Sequence, residues 1–144
     1  MLDRITDRLV TLLATSPDLS RGLDGRVAVN KGLARQGPEV CGVYVCLAKV
    51  SQWGYVVGGE AVEMRAVWAV TVAAKLAGDP AALERTVATL VANASTVILR
   101  HMGDNGYWTT AQLLPTELIN IREETDQRWE TVTIPVEIAW DLYE

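Results

Sequence analysis

From Thr131 to Leu142 the chain alternates without a break. Val132, Ile134, Val136, Ile138, Trp140 and Leu142 take every second position, and Thr131, Thr133, Pro135, Glu137 and Asp141 fall between them. Successive side chains of a β-strand point to opposite faces, so this run dictates a strand with one apolar and one polar side. Such a strand needs a layer to cover its apolar side, which the rest of the chain must supply. Pro135 has no N–H to give to a ladder, and its presence predicts an edge strand, on at least one side at that point.

Two stretches supply helices. Leu2, Ile5, Leu9, Leu12 and Leu13 recur at helical spacing, and Asp3 and Asp7 sit where carboxylates favour the helix dipole. This predicts a helix over 2–14, ended by Ser16-Pro17-Asp18. A second helix begins at a cap, Asp79, with Pro80 in its first turn and Gly103 beyond its last. Its apolar face is Leu83, Val87, Leu90, Val91, Ala94, Ile98 and Met102. Asp104-Asn105-Gly106 then reads as a tight turn.

Further strands are expected over 39–50, 61–75 and 116–123, and Arg26-Val27-Ala28-Val29 could add a short one. In the second of these, Val62, Met64, Ala66, Trp68, Val70 and Val72 share a face, while the other face starts with Glu63 and Arg65 and turns apolar at Val67, Ala69 and Ala73. Glu124-Thr125-Asp126-Gln127 is the turn into the last strand. Residues 19–38 hold four glycines and Pro38, and read as a long loop of the kind that is often functional or mobile. The expectation is one α+β domain spanning 1–144: a mostly antiparallel sheet packed against two amphipathic helices, in the order α-β-β-α-β-β.

With 49% apolar and 22% charged residues, the 144-residue chain has the balance of a globular domain. Glu63, Arg65 and Lys75 interrupt its longest apolar stretches before they reach the roughly 20 residues of a membrane span, so no membrane partner is expected. The acidic, amphipathic start is unlike a signal peptide, and folding in the cytosol is expected. The net charge of −5 is uneven: residues 117–144 carry eight acids against Arg122 and Arg128. No basic stripe suited to gripping phosphates stands out, which disfavours specific nucleic-acid binding.

Groups for chemistry are sparse. The single histidine, His101, sits at the end of the second helix with no partner at catalytic or metal-ligand spacing. The 25–32 stretch has glycines and Lys31 but lacks phosphate-loop spacing, and no nucleophile-elbow motif occurs. Cys41 and Cys46 lie five apart in one strand, which puts them on opposite faces as small buried residues. No catalytic residue, cofactor or metal is expected. The tryptophans carry more information. Trp68 and Trp140 fall on apolar strand faces and belong to the core. Trp53, Tyr55, Val56 and Val57 lie in a glycine-rich stretch, and Tyr107 and Trp108 follow the Asn-Gly turn. These either fold back onto the domain or face a partner, as aromatics at interfaces do. With Pro135 they form the candidate interface.

The run Trp68-Ala69-Val70-Thr71-Val72-Ala73-Ala74, leading into Gly78-Asp79-Pro80 and a long alanine- and valine-rich helix, closes with Trp129-Glu130-Thr131-Val132-Thr133-Ile134-Pro135-Val136-Glu137-Ile138. Together with the opening helix, this order resembles the tail terminator (tail completion, minor tail) proteins of long-tailed bacteriophages. The resemblance spans most of the chain and is weakest over 19–38. It implies a structural subunit, not an enzyme, that forms a hexameric ring with copies of itself. The ring caps the tail tube, ends polymerisation of the tube protein, and joins the tail to a neck or head-completion protein. It implies a place in the virion tail after assembly in the host cytoplasm, with DNA a non-specific passenger through the channel. Another head–tail joining or neck protein is the nearest alternative, and a small-ligand-binding α/β domain the more distant one.

Overall fold

The computed structural model describes residues 2–23, 27–32, 41–57, 61–76, 79–104, 106–115, 119–124 and 127–141. In chain order the elements are α1 (Leu2–Thr15), β1 (Ala28–Lys31), β2 (Cys41–Val57), β3 (Ala61–Leu76), α2 (Pro80–Leu99), β4 (Thr110–Leu113), β5 (Ile119–Glu124) and β6 (Gln127–Asp141). The α+β class holds, but two short strands enlarge the expected order to α-β-β-β-α-β-β-β. The six strands form one sheet in the order β1-β2-β3-β6-β4, with β5 also on β6. Only β1 runs parallel to its neighbour; the other pairings are antiparallel.

Both helices lie on one face of this sheet. Ile5, Leu9 and Leu13 of α1 and Leu83, Leu90 and Ile98 of α2 join Trp68, Val70, Val72, Ile134, Val136 and Ile138 in a single buried core. The period-two faces of β3 and β6 thus do what their sequence demands. The rings of Trp68 and Trp140 meet edge-on at 6.0 Å, and the Trp68 indole N–H donates to Thr6 Oγ1 at 2.8 Å. Asp79 caps α2 by accepting from the Ala81 N–H at 3.0 Å. The helix stops at Leu99, so Met102 lies beyond it; instead of completing the core face it is 54% exposed.

β6 is not an edge strand. β3 pairs along its length on one side. On the other side β4 covers Val136–Ala139 and β5 covers Gln127–Val132, so two short strands share one position. Pro135 sits where one hands over to the other. The Leu114 N–H donates to the Pro135 carbonyl at 2.8 Å. In a strand the N–H and C=O of one residue point the same way, so the missing N–H of Pro135 also faces this break in the ladder.

β2 is longer than expected. Its backbone stays paired with β3 to the end, with Tyr55 opposite Glu63, Val56 opposite Val62 and Val57 opposite Ala61. Trp53 and Gly54 therefore belong to a strand and not to a loop. The glycine signal marks a bulge, one of three register shifts along β2. Part of the 19–38 stretch is also built in. Leu19 is buried, and Asn93 of α2 donates from Nδ2 to the carbonyls of Leu19 and Arg21, each at 2.9 Å. β1 follows, aligned with Gly42–Val45. The remainder of 19–38, at 24–26 and 33–38, lies outside the described residues, as do Gly58, Gly59 and the start of the expected 116–123 strand.

Candidate functional site

The polar side chains divide into clusters that tie elements together. Asp18, buried after α1, accepts from Arg21 and from Arg100 just past α2, which staples this turn to the second helix. On the open face of the sheet, Arg65 donates to Glu63 at 2.5 Å and to Glu137 at 3.4 Å, and Gln112 donates to Glu137 at 3.1 Å. The hydrogen bond to Glu63 raises the Arg65 pKa above its ordinary value, so the charge is fixed. Thr71 and Thr133 share a hydrogen bond across β3 and β6.

A further cluster lies where α1 meets the loop after α2. Arg4 and Arg8, one helical turn apart, both place their guanidinium groups against the Tyr107 ring, at 4.6 and 4.8 Å from its centroid. Arg8 Nε also donates to Asp104 Oδ2 at 2.7 Å, and this bond raises the pKa of Arg8. Arg4, Asp7, Arg8, Thr11 and Tyr107 line a shallow depression there. The turn beneath is held by the Tyr107 and Trp108 N–H groups, both donating to the Asp104 carbonyl, and by Gly106 at φ +87°. The (i, i+4) spacing of Arg4 and Arg8 is the sequence signal that would have found this cluster.

The expected interface residues do not converge on one patch. Trp108 is core: it is 4% exposed, and its indole N–H donates to the His101 carbonyl at 2.9 Å. Tyr107 is half-buried beneath the two arginines. Pro135 is half-buried in an interior strand. Trp53, Tyr55, Val56 and Val57 lie in β2, across the sheet from β4 and its preceding turn; their side chains lie outside what is described.

Cys41 and Cys46 are free thiols, facing opposite sides of β2 as their spacing requires. Burial pushes both thiol pKa values up, which leaves little thiolate for chemistry at neutral pH. Among the described residues, no group of three or more His, Cys, Asp and Glu side chains is placed to hold a metal ion. No described helix is long and apolar enough to cross a membrane.

Over the described residues this architecture is a two-helix, one-sheet α+β fold with both helices on the same face. It is similar to a chain in the solved structure titled virion of native gene transfer agent (GTA) particle, with a TM-score of 0.51, 16% identity, and 91% of each chain covered. At that identity the likeness is one of fold. No family model matches the chain, and no curated protein is close enough in sequence to match it.

Proposed function

We propose that this chain is a structural subunit of a tailed, phage-like particle, and within it the tail terminator. Copies close into a hexameric ring on the end of the tail tube, stop further addition of tube protein, and present the opposite surface to a neck or head-completion protein. The observation that carries this reading is the fold shared with a chain of a gene transfer agent virion over 91% of both chains, which makes it a likeness of the whole domain and not of a fragment. The element order of tail terminators points the same way.

The role is assembly and not catalysis. Its support is that three of the polar clusters described hold elements together: Asp18 between two arginines, Asp104 on Arg8, Glu137 between Arg65 and Gln112. DNA crosses the ring as a passenger, which suits an acidic chain without a basic stripe. The protein acts in the virion tail after assembly in the host cytoplasm.

The test is growth of tubes from the tube protein of the same particle, with and without this chain, followed by imaging. A terminator halts elongation and appears as a ring at one tube end. Binding to head-side neck proteins without any effect on tube growth would favour the other joining role. Binding to neither would end the virion reading.

A further inference from the structure

A strand edge with unpaired N–H and C=O groups is a template for another strand. The side of β2 that faces away from β3 is such an edge, and its two parts differ. From Cys41 to Leu47, β2 pairs with β3 residue for residue, Cys41 opposite Ala74 and Leu47 opposite Trp68. All three register shifts of β2 come after Leu47. The second part also carries Lys49, which is exposed. Bulges and a lysine are what blunt an edge against strand addition. The first part has neither. It reads Cys-Gly-Val-Tyr-Val-Cys-Leu, seven residues without a charge or a proline. That is the composition of segments that stack strand on strand once an edge is bare.

β1 lies on the regular part. Its residues Ala28–Lys31 align with Gly42–Val45 and stop short of the first bulge. Among the described residues no other strand pairs with this side of β2. β1 is itself a poor template: it has four residues, ends at the exposed Lys31, and is followed by Gly32 at φ +118°. It is also lightly held. Its ladder is short and parallel, the weaker kind of pairing. Val29, with Val27 just before the strand, is only partly buried against the core. Lys31 Nζ reaches Asp7 at 2.9 Å and Asp3 at 3.4 Å, but these ion pairs are exposed and contribute little. β3 and β6, by contrast, are paired from Glu63 to Leu76 over a fully enclosed core.

We infer that β1 is a detachable guard. It covers the one stretch of the β2 edge fit for strand addition, and it opens locally while the rest of the sheet stays folded. When it leaves, the 41–47 stretch of a second copy takes its place. Two such stretches carry no charge to repel each other, and each is regular along its whole length. While β1 is in place, copies meet through other surfaces.

Hydrogen exchange on the parent chain tests the opening. The Gly32 N–H donates to the Val45 carbonyl at 2.8 Å, and every second N–H of a strand points the same way, so the Asn30 N–H also faces β2. Both amides should exchange well before those of Val70 and Ile134. Exchange of all four together, only on global unfolding, would overturn a detachable β1. Asn30→Pro tests the guarding, because it removes an N–H aimed at β2. It should associate several-fold faster than the parent, read by thioflavin fluorescence and light scattering, with the tryptophan-monitored urea transition still cooperative. Val29→Ala weakens the same strand more gently, should shift association in the same direction, and decides the matter if the proline variant does not fold. Adding Leu47→Lys, an exposed position, should return association to the parent rate. A folded β1 variant that associates no faster than the parent would overturn the guard. Association that Leu47→Lys leaves unchanged would overturn the 41–47 edge as its route.

Discussion

The Trp68 side chain is fully enclosed, yet its indole N–H still finds the Thr6 hydroxyl, which itself donates to the Leu2 carbonyl at 3.1 Å. Trp140, packed edge-on against it, has a buried indole N–H with no partner. A buried donor left unpaired costs roughly 1–3 kcal/mol. Thr6→Val keeps the shape and removes the acceptor, so it should lower stability by about that amount, read as a lower urea midpoint with an unchanged slope. The sequence placed Trp68 and Trp140 in the core correctly, because period-two alternation reports on faces. It did not separate Trp108 from Tyr107, since adjacent residues after a turn have no period to sort them. Only the fold shows that Trp108 turns inward to the His101 carbonyl while Tyr107 stays under Arg4 and Arg8. Met102 went astray for a related reason: it continues the helical stripe of Leu83, Val87 and Ile98, but the helix has ended before it.

At the scale of elements, long periodic segments were more legible than short ones. α1, α2, β3 and β6 follow from spacing and caps. β4 has four residues, Thr-Ala-Gln-Leu, with one buried side chain, and β1 has four that are half-buried or exposed. β4 carries too little pattern to show, because it is held by its neighbour and not by its own composition, whereas β1 shows in the Arg26–Val29 run and lies two residues further on. Pro135 misled through a sound rule applied to the wrong edge. The rule asks for a missing ladder bond, and the break between β4 and β5 supplies one inside the sheet. Pro135→Ala should therefore change little. It forfeits no hydrogen bond, and its cost should stay within the ~1 kcal/mol expected from a more flexible unfolded chain. A larger loss on chemical denaturation would mean that the ring packs where no contact is now assigned.

The whole molecule has one main core, shared by both helices and the central strands. Unfolding should then be a single cooperative event, with tryptophan fluorescence and far-ultraviolet circular dichroism tracing the same urea curve. An earlier change in the dichroism alone would show that part of the sheet unfolds by itself. Which large apolar side chains stay exposed was the least legible feature, and the reason is physical. Aromatic residues near glycines attract attention, whereas Leu47, Val50 and Met102 look like ordinary core until it is known where the helices stop covering the sheet.

The three register shifts of β2 reach beyond that strand. Opposite Ala61–Ala74 of β3, β2 spends all seventeen of its residues, three more than its partner uses. At about 3.3 Å per residue the surplus is near 10 Å of contour. A track with one rail longer than the other has to turn, and the bulges distribute that turn along the ribbon as bend and extra twist. Curvature here is a property of unequal lengths, so no single side chain holds it and no single substitution would straighten it.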